Sequence, residues 1–371
     1  MTSIIRPTLV VDKEVCMRNI ERMADKARKL HLQFRPHFKT HQSIVIGNWF
    51  KDFGIHAITV SSVLMAEYFA NNGWDDITIA FPLNILEINT INNLASRINL
   101  NISLENIETA ETLVHSIHAP VGVYLKVDTG YNRTGIITSK TNKVDAILEE
   151  LAKNKLITFK GFLTHNGLTY AARSTNEIFS YHFDALLKLR SLKQRYRSKY
   201  PNIELSIGDT PSCTICTNFS GVDEIRPGNF VFFDLMQQNL GVCTFDDIAV
   251  KMVCPVVSKH PSRNEIVIYG GAIHLSKESL QNVDGKAFYG RIVLKKKGEW
   301  KLLSERNYVA RLSQEHGVLK VSQKNFDHFK IGELVEIIPI HSCLTANLAR
   351  KYLTTDGKEI DMINSSLPAH F

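Results

Sequence analysis

Eight short apolar runs, most of them parted from the next by residues at helical spacing, frame the first two-thirds of this 371-residue chain. An opening strand is expected at residues 8–11 (TLVV). A helix is expected over 13–30, where Val15, Ile20, Met23, Ala24, Ala27 and Leu30 share one face. The strand candidates then fall at 33–37, 56–60, 76–81, 97–104, 122–128, 157–164, 203–207 and 222–226, the last with a continuation at 230–233. Helices are expected between most of them, over 63–71, 83–94, 106–116, 142–153 and 176–199. Repeating βα units with eight strands point to a closed parallel (β/α)8 barrel over an open doubly wound sheet.

After residue 245 the texture changes. The runs IAVKMVCPVVS, NEIVIYGG, GRIVLKK, YVARLSQEHGVLKVS and GELVEIIPI are short, β-branched and divided by turn residues, with no convincing helix between them. The reading is two domains: an α/β barrel over 1–245 and a mostly antiparallel β-domain over 246–371. No run of eighteen apolar residues and no signal-like opening segment is present, so neither a membrane span nor secretion is expected. Six cysteines stand at 16, 213, 216, 243, 254 and 343, a spacing that is no disulfide scaffold and suits a reducing cytoplasm. The formal charge of +7 raises nucleic acid and anionic membranes as partners. Neither is expected, because Lys295-Lys296-Lys297 stands beside Gly298 in a turn and the basic stretch 190–199 suits the outer face of a helix.

Barrel enzymes carry their working side chains at the C-terminal ends of the strands. Here the first strand ends in RPHFKTHQS with Lys39, the fifth in KVDTGYNRTG with Asp128 and Arg133, and the sixth in THNGLTY with His165 and Tyr170. The seventh runs into SIGDTPSCT and the eighth into RPGN, turns whose backbone N–H groups suit an anion. Singly, each has a plain structural reading: a solvated lysine, a packed tyrosine, a proline in the first turn of a helix. Their coincidence at one end of one barrel marks a site.

RPHFKTHQS resembles the lysine motif of the D-threonine aldolase and D-serine dehydratase family of fold-type III pyridoxal-phosphate enzymes. KVDTGYNRTG and the opening RPTLVVDKEVCMRNI are similar to alanine racemase segments, and GDTPS, IRPGNFVFFD, LSQEHG and PIHSCLT follow in the order of the aldolase and dehydratase family. The resemblance implies an alanine racemase-like barrel carrying pyridoxal 5′-phosphate on Lys39, an amine suited to that role when partly desolvated. It implies Arg133 at the ring hydroxyl, Gly208, Thr210, Gly228 and Asn229 around the phosphate, and His165 and Tyr170 on the substrate face, Tyr170 also against the cofactor. Arg226 is open between the pyridine nitrogen and an ordinary ion pair. A homodimer with its active site near the subunit boundary is implied as well.

His341-Ser342-Cys343 is the second constellation. On an extended strand residues i and i+2 share a face, so imidazole and thiolate would project together as a partial zinc site. In the family resembled, the pattern marks a divalent ion beside the cofactor, with zinc favoured by the soft thiolate and manganese the alternative. Cys213-x-x-Cys216 lacks a second pair and is read as structural. A metal that polarises a β-oxygen needs a 3-hydroxyl group on the substrate. Pair and resemblance together imply a lyase acting on 3-hydroxy D-amino acids, D-serine dehydratase-like, giving a 2-oxo acid and ammonia. The alternatives are a D-threonine aldolase, giving glycine and an aldehyde, and beyond it a racemase or a protein that only binds the cofactor.

Overall fold

The computed structural model describes residues 4–296 and 299–363, so the turn expected at Lys297 and Gly298 lies outside the described residues. The chain forms two compact units, one of Ile20–Lys39 with Ile46–Phe230, the other of Met1–Asn19, Thr40–Val45 and Val231–Phe371. Its first elements are β1 (Thr8–Val11) and α1 (Lys13–Lys29).

The first of these units is built on eight parallel strands: β2 (Gln33–Phe34), β3 (Ala57–Val60), β4 (Asp76–Pro82), β5 (Asn99–Leu104), β6 (Val121–Asp128), β7 (Ile157–Thr164), β8 (Glu204–Ile207) and β9 (Glu224–Ile225). Each pairs with its successor from β3 to β9, and β9 pairs with β2. Beyond β2, a parallel bridge from His37 to Thr59 of β3 closes the ring. Thr59 N donates to Pro36 O and Phe38 N to Thr59 O, each at 2.9 Å. A strand covered on both faces has no need of polar alternation, and β6 is buried at every position.

The helices are α2 (Ile44–Lys51), α3 (Val63–Ala70), α4 (Ile88–Ala95), α5 (Ile107–Ser116), α6 (Thr141–Leu151) and α7 (Thr175–Tyr196), followed by the short α8 (Thr210–Ile215) and α9 (Leu235–Asn239). Ser62, Asn106 and Ser174 cap α3, α5 and α7 by accepting from Met65 N, Thr109 N and Glu177 N. Helix α2 was not among the expected elements. Its sequence IVIGNWFK buries Ile46, Gly47, Trp49 and Phe50 and shows no one-sided apolar stripe. The strand expected at 230–233 is instead a helical turn at Asn229–Val231, followed by Phe233 at a φ of 47°.

In the other unit six antiparallel strands close on themselves: β10 (Val250–His260), β11 (Glu265–Tyr269), β12 (Gly290–Lys296), β13 (Tyr308–Leu312), β14 (His316–Lys320) and β15 (Leu334–Pro339). Around the ring the order is β10, β11, β14, β13, β12, β15 and back to β10. Val250, Cys254, Ile268, Ile292, Leu319 and Ile337 fill its core. The N-terminal strand β1 adds to this sheet, Thr8 opposite Val253, and Lys351–Thr354 runs parallel to β1. The expectation that no helix interrupts this region is corrected by α10 (Ser342–Ala349), which starts directly behind β15. SCLTANLA spans barely two turns and has little polar contrast, so its period is faint. Among the described residues no helix is long and apolar enough to cross a membrane.

Candidate active site

Lys39 stands just past the closing bridge of the barrel, and its backbone N–H donates to Nδ1 of His37 at 3.4 Å. At the end of β6, Asp128 accepts from the N–H groups of Gly130, Tyr131 and Asn132 at 2.8, 2.9 and 3.0 Å, which curls the TGYNRTG loop back on the strand. Gly135 completes that curl at a φ of 111°, where any Cβ would lie 2.6 Å from Asp128 N. Arg133 projects from the loop with its guanidinium 5.3 Å from the centre of the Tyr131 ring.

At the end of β7, His165 Nδ1 bonds Gly208 O. A carbonyl only accepts, so the proton sits on Nδ1 and Nε2 is the acceptor. The His165 ring lies 5.8 Å from that of Tyr170, whose hydroxyl oxygen accepts from Thr210 N at 3.0 Å. Asp209 caps the short helix Thr210–Ile215, with Pro211 in its first turn as the sequence suggested. Thr210 Oγ1 is buried and meets no partner among the described residues. Arg226, also buried, donates from Nε to Ser206 Oγ and from Nη2 to Thr164 O, both at 2.6 Å, with Glu224 at 3.9 Å. Gly208 leaves room for it: a Cβ there would stand 3.0 Å from Arg226 Nη1. The turn of Gly228 and buried Asn229 is tied to the first strand's end by His37 N, which donates to Pro227 O at 2.9 Å.

These side chains share one field. Burial, then Lys39, Arg133 and Arg226, hold His165 down at about 3. His37 is pushed well below its ordinary value by burial and by Lys39, Arg226, His165 and Lys126. Lys126, buried on β6 with Nζ donating to Ala80 O at 2.9 Å, falls to about 8 through burial, then Arg226 and Arg133. The barrel mouth is strongly positive and its imidazoles are held neutral, with one ring nitrogen of each left as an acceptor. Neither His37 nor Lys126 was singled out from the sequence. The available signals were a histidine two residues before Lys39, and a lysine inside the apolar strand VGVYLKVD.

The half-buried His165 and the buried His41 make the fold acid-sensitive. An unfolded histidine binds its proton near 6.5, whereas folded His165, and His41 likewise, do so only near 3. Between those values the unfolded state holds more protons. Stability therefore falls as pH drops through this window, by about 1.4 kcal/mol per pH unit for each such residue. Urea unfolding at pH 7.5, 6 and 5 should show the loss beginning near 6.5, and His165→Gln should flatten it by about one proton. An acid limb that starts only near pH 4 would mean these imidazoles titrate normally.

The second constellation lies in the other unit. His341 and Cys343 do meet, but not along a strand: β15 ends at Pro339, His341 is the N-cap of α10 and Cys343 lies in its first turn. The extended-strand geometry is thus corrected, the chain turning into a helix where two more strand residues were expected. Burial disfavours a charged His341, yet hydrogen bonding to Cys343 and the charges of Cys343, Asp234 and Glu278 hold it up at about 9, so the surroundings favour a cation. Asp234 braces the helix start, accepting from Ser342 N at 2.9 Å and Ser342 Oγ at 3.2 Å. Thr40, which follows Lys39 in the chain, places Oγ1 3.3 Å from Cys343 Sγ. Among the described residues no third histidine, cysteine or carboxylate completes a metal-binding group. Cys213 and Cys216 are buried with their thiols pushed up by that burial, and so stay protonated.

Residues 11–235 match the family described as "Alanine racemase, N-terminal domain", and residues 249–355 match the "Putative serine dehydratase domain". The chain is 28% identical to a D-serine dehydratase of Dictyostelium discoideum, over 98% of this chain and 96% of that one. It is 26% identical to a D-threo-3-hydroxyaspartate dehydratase of Delftia sp. (strain HT23), over 95% and 94%. A solved structure of the Delftia dehydratase superposes with a TM-score of 0.87 at 24% identity, over 97% of this chain and 98% of that one.

Proposed function

The chain belongs to the alanine racemase N-terminal domain family, and from that premise we infer that it is a pyridoxal-phosphate-dependent lyase dehydrating 3-hydroxy D-amino acids to a 2-oxo acid and ammonia. The observation that carries this reading is the barrel mouth, where Lys39, Lys126, Arg133 and Arg226 converge on two neutral imidazoles. Beside them Thr210 keeps a buried hydroxyl oxygen with no partner among the described residues. A phosphorylated, electron-poor ring suits that field and that vacant hydrogen bond. Relatives named as dehydratases across nearly the whole chain support the same class.

Pyridoxal 5′-phosphate, when bound, supplies a sink for the electrons of a bond broken at the substrate Cα. In this reading Lys39 holds the cofactor and moves the Cα proton. Thr210, Gly208, Gly228 and Asn229 hold the phosphate, Arg133 the ring hydroxyl, and Tyr170 a wall of the pocket. Arg226, fixed by Ser206 and the Thr164 carbonyl, keeps a positive charge beside the ring. His341 and Cys343 fit a divalent ion, zinc ahead of manganese, through a nitrogen and sulfur donor set in surroundings that favour a cation. Such an ion would supply a Lewis acid for a β-oxygen.

A second reading rests on His165. A neutral imidazole with its proton committed to Gly208 O keeps Nε2 as an acceptor toward a substrate hydroxyl, as aldol cleavage requires, while the surrounding cations weaken it as a base. Product analysis separates the two. With D-serine and D-threonine, and zinc or manganese added, pyruvate and 2-oxobutyrate are expected with equimolar ammonia. Glycine and acetaldehyde from D-threonine would instead make the enzyme an aldolase, and L-isomers alone would make it a racemase.

A further inference from the structure

The unit of closed antiparallel strands contains a cavity of about 360 Å³ that neither constellation uses. Arg291 of β12 and Tyr308, directly opposite it on β13, both line it. So do Phe245, Leu280, Phe288 and Gln238. Arg291 donates from Nη2 to Leu303 O at 3.1 Å, but its Nε–H is buried and meets no acceptor among the described residues. A guanidinium cannot shed its charge, and burial already works against it here, offset in part by Glu305. An unmet buried donor costs about 1–3 kcal/mol, so folds seldom keep one without an acceptor from elsewhere.

The lip of the cavity repeats the pattern. Asn282 Oδ1 accepts from Asp284 N at 3.0 Å and Lys286 N at 2.9 Å, which fixes a tight turn. That turn holds Val283 out over the cavity with 80% of its surface exposed. A rigid turn presenting an aliphatic side chain to water, above an unmet guanidinium N–H, suits an occupant with one anionic end and one apolar end. Glu305, exposed at the same cavity, weighs against a dianion. The volume lies within the usual range for small-molecule sites, roughly 300–1,000 Å³.

We propose that this cavity binds a small organic monocarboxylate, its carboxylate on Arg291 Nε and its hydrocarbon body against Leu280, Phe245 and Phe288. The proposal does not depend on the reaction assigned above. The full-length holoprotein is titrated with 4-methylpentanoate, followed by ligand-observed NMR and by the thermal midpoint. Saturable binding is expected, with 4-methylpentan-1-ol and inorganic phosphate silent. Arg291→Gln should weaken binding at least about tenfold, the value of one charge-assisted bond, with turnover unchanged. Leu280→Glu, which plants a carboxylate inside the cavity, should do the same with Arg291 intact, and decides the matter if Arg291→Gln fails to fold. Lys39→Ala should retain binding, which separates the cavity from the barrel mouth. The idea is lost if the acid gives no saturable signal, as for a cavity that holds only water, if the alcohol binds as well as the acid, or if wild type and both cavity variants bind alike.

Discussion

Lys39→Ala should leave no measurable turnover of any 3-hydroxy D-amino acid, a fall in kcat of at least about ten-thousand-fold. In the proposed reading one amine serves two roles, holding the cofactor and moving the Cα proton, so that one truncation removes both. The barrel contains a rival. Lys126 is buried two residues before Asp128, its value lowered to about 8 by burial, Arg226, Arg133 and Lys39 itself. Its Nζ, however, donates to Ala80 O at 2.9 Å, an intramolecular bond it would have to give up to serve as the cofactor's amine. Borohydride reduction with pyridoxal 5′-phosphate, followed by peptide mapping, should place the added mass on Lys39, which stands at the end of the first barrel strand. Mass on Lys126 would overturn the assignment, whatever the kinetics of Lys39→Ala. Partial rescue of that variant by a small primary amine would add that the missing group is a base and not merely a tether.

The barrel was legible because its information is local. Strand runs such as VGVYLKVD are set by nearest neighbours, and the expected helices lie within a few residues of those observed. Non-local pairing was not legible. Nothing in TLVV says that it will pair with Val250–Val253, some 240 residues away, so the opening strand sits in the sheet of the C-terminal strands. Helix α2 was hidden because its exposed face carries apolar Val45 beside Asn48, which blurs the stripe, and α10 by its shortness. The residues at the strand ends could be read because barrels put chemistry there. His37 could not, since a histidine beside a lysine has no distinctive pattern until the ring closes and buries it.

The pair His341 and Cys343 carries the other large effect. Exhaustive chelation should remove lyase turnover, about a thousand-fold or more if the ion supplies several kcal/mol to the departing β-oxygen. The cofactor's absorption should hardly change, because the residues assigned to the cofactor lie in the barrel and not at the start of α10. Cys343→Ala should match the chelated enzyme, since a lone imidazole, with no third protein ligand among the described residues, is too weak a site to retain zinc. Added zinc should restore the chelated wild type and leave the variant inactive, which distinguishes a lost ligand from a damaged fold. Asp234→Asn is the companion variant. Asp234 holds Ser342 at the helix start, so its loss should loosen the metal, roughly 10–100-fold in affinity, without abolishing it. Exchange of the substrate Cα proton with solvent should survive in every one of these proteins, because the proposed reading gives that proton to Lys39. Full activity after chelation, or in Cys343→Ala, would remove the metal from the mechanism, and racemase chemistry would then account for a barrel that needs only Lys39 and its partners.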